Sequence, residues 1–128
     1  MREIIYLAVF EPSGKKGYSV YFPDVLGCVS YGKNYKHALK MAAESLGSHI
    51  AWMEVDGDKV PEPTRDPNKL GIEPDLVPQE NDLVVPVSIY PDMYKPQWEK
   101  WAMKKNSKQS QRGFSYTLQS SIKRIFNL

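Results

Sequence analysis

The sequence predicts an α+β domain, ordered β-β-β-α-β, with a short helical segment appended at its C-terminus. Three observations carry that expectation. Short runs rich in β-branched and aromatic residues alternate with Gly/Pro turns over the first third of the chain. One long apolar stripe at helical spacing follows them. A further β-rich run then appears after a Pro-rich stretch. One sheet with a helix on one face is the architecture such an order supports.

Ile4–Phe10 is an unbroken apolar run and reads as a strand buried on both faces. Glu11-Pro12 ends the run with no small-residue cleavage site after it, so a strand fits better than a secretion signal. Pro12-Ser13-Gly14-Lys15-Lys16-Gly17 has turn chemistry throughout, and Tyr18–Phe22 completes a hairpin. Pro23–Gly27 turns the chain into a short third strand, Cys28–Tyr31. Asn34 is placed to cap a helix, because its side-chain oxygen can accept from an orphan N–H of the first turn. Ala38, Leu39, Ala42, Leu46, Ile50 and Met53 form that helix's apolar stripe. Gly47 lowers helix propensity by about 1 kcal/mol relative to alanine, so its presence implies close packing against a neighbour. Residues 56–81 hold five of the ten prolines and read as a long surface loop. Leu83–Tyr90 is the fourth strand, and Pro86, which has no N–H to donate, places it at a sheet edge.

The last 34 residues, 95–128, differ in character. Pro96 starts a helix carrying Trp98, Trp101, Ala102 and Lys105 at helical spacing, and the polar stretch Asn106–Gly113 is expected to break it. Ser115 caps a last helix striped by Leu118, Ile122, Ile125 and Phe126. Two short amphipathic helices need a surface to bury their stripes, either the body or a symmetric partner; pairing in a dimer or tetramer is the preferred expectation. The domain boundary falls at 92/93.

Charge divides at the same place. Residues 1–94 carry nine Lys/Arg against fourteen Asp/Glu, a balance of −5, whereas residues 95–128 carry eight Lys/Arg against Glu99 alone, a balance of +7. An acidic body suits a basic partner and a basic tail suits phosphates; solvation of two unrelated faces is the plainer alternative. Composition is ordinary for a globular chain, with 41% apolar and 25% charged residues, which argues against wholesale disorder. The single cysteine, Cys28, forms no internal disulfide and fits a reducing, cytoplasmic setting. No apolar run approaches the length needed to span a bilayer.

Catalytic chemistry has little to stand on. His37 and His49 both lie in the predicted helix, one in its first turn and one beside the apolar stripe, and both read as structural or solvated. Cys28 has no histidine placed to activate it and reads as a small buried thiol. Asp56-Gly57-Asp58 lacks the further ligands of a calcium loop. No phosphate-binding glycine loop, dinucleotide turn or zinc motif is present, so no cofactor, metal or catalytic residue is expected.

The segment Tyr18-Ser19-Val20-Tyr21-Phe22-Pro23-Asp24-Val25-Leu26-Gly27-Cys28-Val29-Ser30-Tyr31-Gly32 is more specific. It resembles the HicB antitoxin family, whose strand–turn–strand reads Tyr-x-Val-x-Phe-Pro-Asp-Leu-Pro-Gly-Cys-x-Ser-x-Gly. Val25-Leu26 replaces the usual Leu-Pro, and Lys33-Asn34-Tyr35-Lys36-His37-Ala38-Leu39 replaces a frequent Asp-Thr-x-Glu-Glu-Ala-Leu. The likeness runs over roughly residues 4–90 and includes the loop Asp56-Gly57-Asp58-Lys59-Val60-Pro61-Glu62-Pro63.

The resemblance implies a degenerate RNase H-like fold without nuclease function, and an antitoxin role. In that family the domain covers a HicA toxin, a small basic mRNA-cleaving protein, and often represses its own operon. Asp24, Tyr31, Asp56 and Asp58 are the candidate toxin contacts, chosen as acidic or aromatic residues around the sheet and loop. The C-terminal run Gly113-Phe114-Ser115-Tyr116-Thr117-Leu118-Gln119-Ser120-Ser121-Ile122-Lys123 resembles the second helix of a ribbon–helix–helix DNA-binding module. Tyr90–Pro96 leaves little room for the ribbon strand itself. Lys100, Lys104, Lys105, Lys108, Arg112, Lys123 and Arg124 are candidate contacts to operator DNA; the same helices could equally serve only to assemble an oligomer. Two rivals stand beside the antitoxin reading. One is a metal-dependent RNase H-like nuclease, for which only Glu3, Glu11 and Asp24 lie near strands 1 to 3. The other is a nucleic-acid-binding regulator with no toxin partner.

Overall fold

The computed structural model describes residues 1–71 and 76–112, with side chains to Lys105. Its order is β1 (Ile4–Ser13), β2 (Gly17–Tyr21), β3 (Val29–Gly32), α1 (Tyr35–Val55), β4 (Leu83–Ile89) and α2 (Lys95–Arg112). The four strands form one antiparallel sheet in the order β3-β2-β1-β4, and α1 covers one face of it. The α+β expectation is met.

Strand alternation decides which side chains meet the helix. Tyr6, Ala8 and Phe10 of β1, Val20 of β2, and Val85, Val87 and Ile89 of β4 are buried with Ala38, Ala42, Leu46 and Ile50 of α1. The opposite face of β1 carries Ile5, which is 49% exposed, Leu7, which is half-buried, and Val9, which is fully buried. Burial of β1 on both faces therefore holds at Val9 and lapses towards Ile5. The apolar run misleads because the long loop, and not a second helix, lies over part of the other face.

Pro86 pairs with Leu7 on β4, at the sheet edge, as its missing donor requires. Pro12 lies inside β1, one of its last paired residues, opposite Tyr18 and beyond the end of β4. On the β4 side there is therefore no ladder for its missing N–H to interrupt. Asn34 caps α1 by accepting from the His37 N–H at 2.9 Å, while the Lys33 N–H donates to His37 Nδ1 at 3.0 Å. At the other end, Gly57 N–H donates to Glu54 O and Asp58 N–H to Met53 O, with Gly57 at φ +78. That is a Schellman stop, so the glycine in the acidic turn is there to end the helix.

Gly47 is explained by α2. A Cβ there would lie 2.5 Å from the Tyr94 ring, so the glycine admits the aromatic that leads into α2. Trp98 Nε1 donates to Ser48 Oγ at 3.0 Å, and the Trp98 ring sits 6.2 Å from that of Trp52. The first half of α2 thus docks on its own body. Arg2 forks onto Glu54 at 2.6 and 2.7 Å, and Lys95 reaches Asp92 at 2.9 Å, framing the same junction. Lys95, and then Arg2, hold the Asp92 carboxyl below its usual range.

The helix also runs straight through Asn106–Arg112, where the polar composition predicts a break. Lys, Gln and Arg are good helix formers, so backbone propensity alone can carry the helix on. Between β4 and α2 there is a single 3-10 turn, Pro91–Met93, and no ribbon strand. The helix expected from Ser115 lies outside the described residues.

Candidate protein-interaction surface

The long loop is held at three points. Tyr6 OH donates to Pro61 O at 2.6 Å, Asp24 takes the Thr64 N–H and Oγ1–H at 2.6 and 2.7 Å, and Tyr21 OH donates to Leu76 O at 3.4 Å. Past Pro61, the loop lies on the side of the sheet opposite α1, with Pro63, Thr64 and Arg65 standing over Ile5, Leu7 and Pro86 around a depression of about 590 Å³. Gly71, at φ +80, is needed close by, since a Cβ would fall 2.4 Å from Leu76 O.

Asp24 thus spends both oxygens internally, as a clasp on the loop. Charge-assisted bonds of this kind contribute about 1.5–3 kcal/mol. Asp24→Ala is expected to release the loop, and limited proteolysis should cut between residues 61 and 71 several-fold faster than in the parent chain. Unchanged cleavage would show that the clasp holds nothing.

The four residues singled out in the sequence do not form one cluster. Tyr31 lies on β3 opposite Ser19, near the β1–β2 hairpin, with its hydroxyl close over Gly17. Asp24 follows the other end of β2, where it joins Glu54 and Glu62 in surrounding the Tyr6 phenol. Burial, and then those carboxylates, push that phenol up to about 12. Asp56 and Asp58 stand at the C-terminal end of α1, which has no basic residue in its last turn.

Tyr31 belongs to a wider apolar strip on the side of β3 facing away from α1, whose other members the sequence did not single out. Val29 is 66% exposed, Tyr31 52% and Leu26 47%. Next to them is a pocket of about 360 Å³ floored by buried Phe22, Val25 and Cys28, walled by Leu76 and lipped by Glu11. Burial, followed by the negative charges of Glu11 and Asp82, raises the Tyr21 phenol above its ordinary value, so both carboxylates act on this one spot. The signal in the sequence was the alternation Val29-Ser30-Tyr31, which turns two apolar side chains outward once Cys28 and Gly32 face the helix.

Of the candidate DNA contacts, Lys100 and Lys104 are exposed on α2, and Lys105 lies with its Nζ 4.8 Å from the Trp101 ring centre. Lys108 and Arg112 belong to α2 without described side chains, and Lys123 and Arg124 lie outside the described residues. His37 serves the helix cap, and His49 packs edge-on against Trp52 at 5.8 Å. Burial raises the Cys28 thiol to about 12. Among the described residues no three His, Cys, Asp or Glu side chains converge as metal ligands, and no helix is long and apolar enough to cross a membrane.

The sequence profile of the HicB-like antitoxins of bacterial toxin–antitoxin systems matches residues 6–102. The chain belongs to that family. A HicB-like antitoxin is what the Phe22-Pro23-Asp24 and Gly27-Cys28 block resembled, and the match reaches past β4 into α2. Solved structures agree on the fold. A HicA3–HicB3 toxin–antitoxin complex aligns with TM-score 0.54 at 28% identity, covering 69% of this chain and 100% of that one. A toxin–antitoxin complex from Streptococcus pneumoniae aligns at TM-score 0.63 and 23% identity, over 96% and 99%. The antitoxin HicB of Burkholderia pseudomallei aligns at TM-score 0.57 and 16% identity, over 89% and 90%. No curated protein matches the chain.

Proposed function

We propose that this HicB-like antitoxin neutralises a HicA-type, mRNA-cleaving toxin in the cytoplasm by binding it, with no catalysis or cofactor of its own. The observation that carries this is the family match over residues 6–102, supported by the 28% identity to a chain of a HicA3–HicB3 complex. The division into an acidic body, residues 1–92, and a basic tail, residues 93–128, fits it. Body charge favours fast, selective association with a basic toxin. Tyr31, Asp56 and Asp58 are the exposed or half-exposed residues proposed to face it, while Asp24 shapes the loop beside them. The tail is proposed to associate as a dimer or tetramer and to bind operator DNA through Lys100, Lys104, Lys105, Lys108, Arg112, Lys123 and Arg124.

Co-expression tests the first part. The protein encoded by the neighbouring reading frame should arrest growth alone and be silenced by this chain in a co-purifying complex. A toxic neighbour that this chain neither binds nor silences would end the proposal. For the tail, log K for operator DNA should fall linearly with log salt, with a slope of about −0.9 per phosphate neutralised.

A further inference from the structure

The sheet has two edges, and they are not equally protected. β4 carries Pro86, which has no donor to offer an incoming strand. β3, at the other edge, carries Val29, Ser30, Tyr31 and Gly32, with no proline and no charge among them. An edge strand without such safeguards is a template for strand addition. Beside it lie the exposed Val29, Tyr31 and Leu26 and the pocket lipped by Glu11.

We infer that the β3 edge and its pocket seat a basic, strand-forming segment of the toxin, which extends the sheet as a fifth strand. The inference rests on the antitoxin reading and gives that reading a location. Pairing alternates side chains to the two faces, so every second residue of the guest falls alongside Val29 and Tyr31. The pocket floor is apolar and its lip is a carboxylate, which suits a Lys or Arg whose aliphatic stem lies on Phe22 and Val25 while its cation meets Glu11. Asp82 adds to the same negative field. Lys33, just beyond β3, bounds the strip at its far end and disfavours a guest cation there. A second copy of this chain is the poorer occupant, since its body would bring fourteen Asp/Glu against nine Lys/Arg to an edge that is itself negative.

The test uses the full chain and the protein of the neighbouring reading frame, with affinity measured by titration calorimetry. Val29→Lys and Glu11→Lys place positive charge at exposed positions and are expected to weaken binding about 30-fold or more each. Leu83→Lys, also exposed but on β4, should change it less than about threefold. Circular dichroism of all three should match the parent. If the parent complex forms and Leu83→Lys weakens it while Val29→Lys does not, the β3 assignment falls and the antitoxin reading survives. If Val29→Lys instead lowers the oligomeric state of the free chain with toxin affinity unchanged, a second copy occupies the edge and the inference is overturned. If the parent chain binds nothing from the neighbouring frame, the antitoxin reading itself has failed.

Discussion

Gly32→Ala should lose at least about 3 kcal/mol of stability, lowering the thermal midpoint by roughly 10–15 °C. The glycine is not at a left-handed position, so backbone strain is not the cause. At the end of β3 the chain passes directly beneath the first turn of α1, and a Cβ on Gly32 would fall 2.1 Å from Ala38 N and 2.2 Å from Ala38 Cα. Those atoms cannot yield cheaply. Ala38 N–H already donates to Asn34 O at 2.9 Å, and Asn34 holds the His37 N–H, so moving Ala38 undoes the helix start. Gly14 supplies the contrast: its φ is +69 but nothing stands within 4 Å of an added Cβ. Gly14→Ala should therefore cost only the left-handed penalty, about 1–2 kcal/mol. Equal losses from the two substitutions, measured by urea unfolding, would show that the β3–α1 approach is looser than it stands here. The effect also has a functional reading, because a displaced α1 carries with it the β3 edge proposed to receive the toxin.

The residues that could be read from sequence were those whose job is local. Asn34 caps within its own turn, and Pro86 can only be tolerated at an edge, so both positions follow from the residues themselves. Gly47 was legible as a packing glycine, although its neighbour Tyr94, 47 residues on, was not. The misreadings share a cause. Ile4–Phe10 is apolar throughout, and periodicity alone cannot tell whether a second layer or a loop lies over its far face. Asn106–Arg112 lacks an apolar stripe, but its Lys, Gln and Arg favour the helix by propensity alone. The Asp24–Thr64 clasp spans 40 residues and leaves no local trace, so Asp24 looked like a free acid. The Glu11 and Val29 pocket depends on sheet register and on Leu76, which no pattern brings near. The family block was readable because it compresses several such contacts, Gly32 among them, into fifteen adjacent residues.

Alkaline solution should unfold this protein well before ordinary surface titration would. Burial raises the Cys28 thiol from 9.0 to about 12. It likewise raises the Tyr6 phenol from 10.0 to about 12. In both cases the folded state holds the proton more tightly than the unfolded chain. Stability from this source is therefore complete below pH 9 and declines as pH climbs towards 12. Three pH units on the thiol correspond to about 4 kcal/mol at most, and two on the phenol to about 3 kcal/mol. Against a typical total of about 5–15 kcal/mol, that loss is enough to unfold a small domain. Urea midpoints at pH 8, 9.5 and 11 should fall steadily for the parent chain. Cys28→Ala should start slightly lower, because it leaves a small void, yet decline only from about pH 10, where the Tyr6 and Tyr21 phenols contribute. Parallel curves for the two would mean that the thiol reaches solvent in the folded state. The same experiment bears on function: a thiol that keeps its proton to high pH is no nucleophile. Its place is the apolar floor of the pocket beside β3.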